Sequence, residues 1–356
     1  MMRLKGLSLF AGAGIAEMNL KKCGIDIKVA NELIPIRAKT YEFWHSDCNM
    51  ICGDITNNFI KQQIIKTAKK HKVNFVLVTP PCQGVSLIGK NKTNDEMIND
   101  QRNFLIFHAF EIIDVLNPEV VVIENVDRFL TMKFPFDDKF YNIEYIIRKK
   151  YSQKYSINVN VYNAQNYGIP QSRKRVIIVM TNEKYSFKEP KFQNLVTVRE
   201  AIGDLPSIES GEKTNIKNHN ARVHDEKQIL WMKHTPTGCS AFENEVYYPQ
   251  NKNGKRLKGY MATYKRIEWD KPAPTITMRN DAISSQSNVH PGRSLGNGLY
   301  SDARVLSLRE LFILSSINPD IDVPEFASDS QIRYMIGEAV PPKLMEEICI
   351  NIKEQK

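Results

Sequence analysis

The chain has 356 residues and a net charge of +9, with 42% hydrophobic and 25% charged residues. That is an ordinary soluble composition, long enough for one large domain plus a smaller one. No apolar run is long enough to span a bilayer, and the positive excess suits a polyanionic partner while also fitting a merely basic surface.

The opening MMRLKGLSLFAGAGIAEM mimics a secretory leader, but a strand, a glycine turn and a helix account for the same letters. Residues 4–10 read as a buried strand and 16–24 as a helix ending at Gly24. Residues 25–32 form a second strand and 34–44 a helix with Pro35 in its first turn. After GDIT (53–56) come a helix to about His71, a strand at 73–80, and a polar run from Cys82 to Gln101 without clear period. A helix at 103–116 and strands at 118–125 and 173–180 follow. Strands buried on both faces alternating with helices predict an open, Rossmann-like α/β sheet. From about Glu189 the texture turns loop-rich and basic, and PPKLMEEICINIKEQK (341–356) returns to a helical pattern. The expected division is 1–189, 190–327 and 328–356, the last returning to the first domain.

Six cysteines, Cys23, Cys48, Cys52, Cys82, Cys239 and Cys349, are scattered without a CxxC pair. This argues against a disulfide framework and against zinc, and for free thiols in a reducing cytoplasm. Four segments carry chemistry. FAGAG (10–14) lets a ligand approach the backbone; Glu32 and Asp54, at the ends of the next strands, can reach a ribose hydroxyl pair and an adenine amino group. Solvated carboxylates at strand ends would read the same. VTPPCQGVS (78–86) holds Cys82 after two prolines, which fix the backbone; taken alone, Cys82 is more often a structural thiol. Glu124 interrupts the apolar strand VVVIEN, either as a proton donor to a ring nitrogen or as a carboxylate satisfied by an arginine. In QSRKR (171–175), period two sends Arg173 and Arg175 to one side, where they hold an anion or a base carbonyl, or simply face solvent.

Together these segments resemble the DNA (cytosine-5) methyltransferases. FAGAG resembles the family's cofactor turn, PPCQG its nucleophile loop, ENV its base-binding strand and QSRKR its QxRxR segment. DQRNFL (100–105), ARVLSLRELFILSSINPD (303–320), TYKRIEWDKPAPTIT (263–277) and GEAVPPKL (337–344) are similar to later family segments, in the family's order. Four departures stand out: Ser8 in place of an acidic residue, Leu33 in place of a ring, Glu338 in place of Asn, and a loose arginine–glutamate helix.

The resemblance implies an S-adenosylmethionine-dependent methyltransferase domain with a mixed sheet, plus a smaller target recognition domain. It implies that Cys82 attacks C6 of a flipped cytosine, that Glu124 binds and protonates N3, and that Arg175 and Arg173 hold the O2 edge. It places the cofactor, leaving as S-adenosylhomocysteine, against Phe10, Ala11, Gly12, Gly14, Glu32, Leu33, Asp54, Ile55, Pro80, Leu105, Glu338, Ala339 and Val340, with no metal. Gln83, Ser86, Lys90, Lys92, Arg102, Lys255, Arg256, Lys258 and Arg279 are expected on double-stranded DNA, although Lys255, Arg256 and Lys258 equally suit a solvated loop. A bacterial cytoplasmic monomer, protecting DNA from a cognate restriction endonuclease, is the implied setting. A tRNA cytosine-5 methyltransferase, an inert DNA-binding relative and a nucleotide-dependent dehydrogenase are the alternatives. The intact Cys82, Glu124 and Arg175 count against the second, and the missing third glycine against the last.

Overall fold

A computed structural model describes residues 4–81 and 104–355, so Cys82, Gln83, Ser86, Lys90, Lys92 and Arg102 lie outside the described residues. The chain divides into two compact units. The first comprises residues 1–163, 174–191 and 345–356, and the second 164–173 and 192–344. Residues 328–344 thus group with the second unit, and only the last twelve with the first.

The first unit is built on a seven-stranded sheet. Its strands are β1 (Leu4–Leu9), β2 (Ile25–Glu32), β3 (Asn49–Cys52), β4 (Phe75–Val78), β5 (Val120–Asn125), β8 (Ser156–Asn163) and β9 (Lys174–Thr181), in the order β3-β2-β1-β4-β5-β9-β8. The remaining pair, β6 (Lys133–Phe136) and β7 (Lys139–Asn142), forms a separate hairpin. The five strands β1 to β5 run parallel, while β9 is antiparallel to both β5 and β8. Strands β4 and β5 are buried at every residue, as their unbroken apolar runs require.

Helices α1 (Pro35–Trp44), α2 (Asn58–Lys70), α3 (Leu105–Leu116) and α4 (Ile143–Tyr151) accompany the sheet. Asn57 and Asn142 cap the starts of α2 and α4, accepting from Phe59 N–H and Tyr145 N–H. The main core joins Leu7, Val76, Val78, Val121, Ile123 and Ile178 to Ile106, Phe110 and Ile113 of α3 and Ile146 of α4. Chain order reverses direction between β1 and β4. In an open α/β sheet, the carboxyl ends of strands at such a switch point form a binding crevice.

Two sequence expectations change. Residues 16–24 form no α-helix: Glu17, Met18, Leu20 and Lys22 donate to carbonyls three residues back, giving turns and a short 3-10 segment, Leu20–Cys23. Glu17 turns inward to Ser8, so no solvent-facing polar stripe forms. The C-terminal helix stops at Cys349, and Ile352–Glu354 instead pairs antiparallel with Tyr185–Phe187, tying the tail to the first unit.

The second unit is loop-rich around a small core of Met232, Ala241, Ile283, Val289, Ala303 and Val305. Buried ion pairs supplement that core. Arg304, fully buried, donates from both terminal nitrogens to Glu310 at 2.8 and 2.9 Å and also to Asp302 at 2.9 Å. Glu310 doubles as the third residue of a capping box with Ser307, at the start of helix Leu308–Leu314. Removing one partner of such a pair leaves an uncompensated buried charge. Arg304→Ala is therefore expected to destabilise this unit by about 3–5 kcal/mol, read as a drop in the midpoint of denaturant unfolding; a change under about 1 kcal/mol contradicts the role.

Acid should unfold the same unit. Burial pushes His290 down to about 3. Burial alone would raise Glu310, but Arg304 and His290 overcome it and hold the carboxyl down to about 2. In the unfolded chain both groups take protons at higher pH, at about 6.5 and 4.3. The unfolded state therefore binds more protons as pH falls from about 6.5 toward 2, and stability drops across that window. Chemical denaturation between pH 7 and 4 is expected to show a falling midpoint; a flat profile contradicts it.

Candidate active site

The carboxyl ends of β1, β4 and β5 are tied together by the residues just beyond them. Thr79 N–H donates to Leu9 O at 3.2 Å, and Thr79 Oγ1 to Phe10 O at 3.1 Å, joining the end of β4 to the FAGAG turn. On the other side, Asn125 Nδ2 donates to Pro80 O at 3.2 Å, while Asn125 Oδ1 accepts from Val126 N–H. The peptide leading into Pro81 and Cys82 is thereby held at the end of β5, one residue from Glu124. Thr79 and Asn125 were not singled out from the sequence, although Asn125 lies inside the ENV motif; only the strand order reveals that both face the same loop.

Glu124 and Arg175 meet. Arg175 Nε lies 2.9 Å from Glu124 Oε1, with side chains 12% and 9% exposed. The register explains the pairing: Glu124 stands opposite Ile177 on antiparallel β9, and Arg175, two residues along on the same face, is its diagonal neighbour. The functional reading of Glu124 and the bland one, a carboxylate satisfied by an arginine, thus describe one pair. A charge-assisted bond through Nε holds one carboxylate oxygen in place.

The FAGAG turn is built on left-handed backbone: Phe10, Gly12 and Gly14 have φ of 60°, 56° and 77°. For Phe10 that conformation is uncommon and strained. At Gly14 a Cβ would come within 2.6 Å of the His45 ring, and His45 Nε2 also lies 2.8 Å from Gly14 O. Ala11 N–H donates to Asn31 O. Gly12 N–H donates to Glu32 Oε2, and Ile34 N–H to Glu32 Oε1, both at 2.9 Å. Arg37 Nη1 lies 3.6 Å from Glu32 Oε1, so the carboxylate is held by two backbone N–H groups and a guanidinium. Leu33 beside it is 55% exposed, and Ile55 is buried. Asp54 is exposed, with Oδ1 accepting from Thr56 N–H. Pro80 is buried, and Leu105 opens α3.

Beneath the turn lies a carboxyl that the sequence reading passed over. Ser8 Oγ donates to Glu17 Oε1, and the second oxygen of Glu17 is buried with no hydrogen-bond partner among the described residues. The departure at Ser8 is the signal in the sequence, since its hydroxyl is what meets this carboxyl. Burial raises Glu17 to about 7. The folded chain therefore binds this proton more tightly than the unfolded chain, and Glu17 costs stability as pH rises from about 4.5 through 7. The full cost above that window is on the order of 3 kcal/mol. Glu17→Gln is expected to unfold at a higher temperature than wild type at pH 8, with the gap closing by pH 5. Parallel melting curves test this, and a gap independent of pH refutes it.

Other expected site residues sit in the second unit. Arg173 is fully buried: Nη1 donates to Ile276 O at 2.8 Å, and Nη2 to Gly337 O and Glu338 O at 2.9 and 3.1 Å. Arg173 and Arg175 thus differ in their partners: Arg175 meets Glu124, while Arg173 meets backbone carbonyls of its own unit. Its terminal nitrogens hold backbone, and it reads as a positioning residue. Gln171 likewise holds Leu314 O, Ser315 Oγ and Ile276 N–H. Gly337 has Thr277 O only 2.2 Å from where a Cβ would stand, so no other residue fits there. Glu338 ends helix Asp329–Glu338, Ala339 leaves it in extended conformation, and Val340 is buried. Lys255, Lys258 and Arg279 are exposed. Arg256 is engaged within its own unit, donating to Phe242 O and Asn244 O.

Comparison with known proteins adds an independent line. The family model described as C-5 cytosine-specific DNA methylase matches residues 4–354. Type II methyltransferase M1.HgaI of Avibacterium volantium is 47% identical over 349 residues, covering 98% of each chain. Type II methyltransferase M1.HphI of Haemophilus parahaemolyticus is 27% identical, over 98% of this chain and 86% of that one. Among solved structures, Entamoeba histolytica methyltransferase EhMeth has a TM-score of 0.66 at 14% identity, covering 98% of this chain and 97% of its own. Spodoptera frugiperda DNMT2 has 0.60 at 18%, covering 97% and 98%. At those identities the two structures speak for the fold alone.

Proposed function

The chain belongs to the C-5 cytosine-specific DNA methylases, and from that membership we propose that it methylates C5 of a flipped-out cytosine in duplex DNA through a covalent Cys82 adduct. The observation that carries this reading is the convergence of the Glu124–Arg175 pair, the anchored Pro80 and the FAGAG turn at adjacent strand ends.

Cytosine C5 is a poor nucleophile until a group adds at C6, and a soft thiolate suits that addition. In this reading Cys82 sulfur attacks C6, and Glu124, oriented by Arg175, hydrogen-bonds N3 and supplies its proton. A base then removes the C5 proton, and the sulfur leaves. The target atoms are inaccessible in a stacked duplex, so the base must leave the stack, at a cost of a few kcal/mol. Glu32 and the turn at 10–14 fit a nucleoside cofactor: an anchored carboxylate for ribose hydroxyls, beside backbone that a ligand can approach. S-adenosylmethionine, when bound, supplies the methyl group as an electrophile. Asp54, Ile55, Leu33, Pro80 and Leu105 complete that cradle in the first unit. The second unit supplies DNA recognition, with Lys255, Lys258 and Arg279 on the nucleic acid. Among the described residues no helix is long and apolar enough to cross a membrane. A cytoplasmic monomer that protects DNA from a cognate endonuclease completes the proposal.

Duplex DNA carrying 5-fluorocytosine tests the adduct. Fluorine cannot leave as a proton does, so the covalent complex should persist after methyl transfer. With S-adenosylmethionine, a band shifted by the mass of the modified strand is expected under denaturing electrophoresis. Its absence, on DNA shown to be bound, removes the covalent step.

A further inference from the structure

Resting on the reading of the second unit as the DNA-recognising one, we propose that the hairpin Pro249–Leu257 is its base-reading element: it enters a groove of the duplex, with Gln250 and Asn253 on base edges and Lys252, Lys255 and Lys258 on phosphates.

The argument begins with exposure and charge. Residues 250 to 261 are all exposed. Lys252, Lys255, Arg256 and Lys258 fall within them, and no Asp or Glu occurs from Val246 to Ile267. A merely solvated loop has no need to exclude one sign of charge. Apolar side chains accompany the cations in the open: Val246, Tyr260 and Met261 are 68%, 67% and 47% exposed.

The hairpin is ordered rather than loose. Leu257 N–H donates to Pro249 O and Asn251 N–H to Lys255 O, and Gln250 bridges Arg256 in antiparallel sense. Asn251 closes the tip from inside, its Oδ1 accepting from Asn253 N–H and Lys255 N–H. The base is fastened to the body of the unit. Arg256 donates to Phe242 O and Asn244 O, and its guanidinium lies 4.2 Å from the Tyr248 ring centroid. At Gly259 a Cβ would come within 2.3 Å of the Phe242 ring, so the chain passes hard against that ring. Arg256 and Asn251 are therefore internal braces, which leaves the amides of Gln250 and Asn253 and the three lysines facing outward.

A two-stranded ribbon fits the major groove of B-DNA, where a Gln or Asn amide pairs bidentately with adenine and lysines meet phosphates or guanine. Positive charge and paired backbone on one narrow projection match that partner in shape and in sign.

Two variants of the full chain test the assignment. The recognition site is first mapped by bisulfite sequencing of host DNA modified by wild type. If wild type methylates no duplex, the functional reading itself fails. If it does, the triple variant Lys252→Ala/Lys255→Ala/Lys258→Ala is measured on that duplex across a salt series. The slope of log K against log salt should shrink by about 2 to 3, at about 0.9 per phosphate released. The double variant Gln250→Ala/Asn253→Ala should lose roughly tenfold or more of the discrimination against a changed base pair in the site. Thermal melting should match wild type in both, because every replaced side chain is exposed. An unchanged slope overturns the phosphate contacts, and an unchanged site set overturns the reading role. Affinity lost for a structured RNA, but not for the duplex, overturns the choice of partner.

Discussion

Cys82→Ala is expected to lower the rate of methyl transfer by at least about 10⁴-fold, with binding of duplex DNA and the melting temperature left near wild type. Removing a catalytic nucleophile has cost about that much or more where it has been measured. Cys82 itself lies outside the described residues, so the expectation rests on what leads into it. Thr79 is tied to Leu9 and Phe10, and Pro80 to Asn125. That fixes the start of the loop between the FAGAG turn and Glu124, from both sides. Cys82→Ser is the sharper form: a hydroxyl has the right shape but is a far weaker nucleophile near neutral pH. Single-turnover transfer on a mapped site measures both. Retained turnover in either variant removes Cys82 from the mechanism, while unfolding in both would show only a structural thiol.

Glu124→Gln should lower kcat by about 10²–10⁴-fold, the usual contribution of a positioned acid or base. Stability should fall less than on truncation, because glutamine keeps the volume and one acceptor for Arg175 while removing only the charge. Arg175→Ala should behave differently. It strips the partner from a carboxylate that is 9% exposed, so both activity and stability should fall. Breaking a buried pair costs about 3–5 kcal/mol, and this pair's residual exposure places it toward the lower end. The contrast is diagnostic. If Glu124→Gln keeps full activity, the pair is a structural bond between β5 and β9 and nothing more. If Arg175→Ala is inactive but fully stable, then orienting Glu124 is its entire role.

How legible was this in the sequence? The strands β4, β5 and β9 were readable because each is built on an apolar run bounded by a turn or a charge, and β1 and β2 because shorter apolar stretches flank the FAGAG turn and Gly24. Strand β8 was not. Its sequence, SINVNVYN, alternates at an edge and is mostly half-exposed, and it gains its identity only by pairing with β9. The stretch 16–24 misled because its letters suit a helix, whereas the inward turn of Glu17 depends on Ser8 across the sheet end.

At the site, residue types and their order carried most of the information. Cys82, Glu124 and Arg175 were each ambiguous alone and specific together. What the sequence could not convey was which arginine of QSRKR meets the carboxylate. Period two suggested both. Register decides for Arg175, while Arg173, placed just before the strand, is drawn to the carbonyls of Ile276, Gly337 and Glu338. Long-range pairing, rather than local pattern, separates the two. Arg256 gives the same lesson: a basic loop residue by composition, it is an internal brace by geometry.

The central claim is the product. Duplex DNA incubated with the wild-type protein and S-adenosylmethionine, digested to nucleosides and analysed by mass spectrometry, should yield 5-methyl-2′-deoxycytidine that is absent from a Cys82→Ala reaction. Unmodified deoxycytidine alone, or methyl groups found only on another atom or only on RNA, would contradict the account.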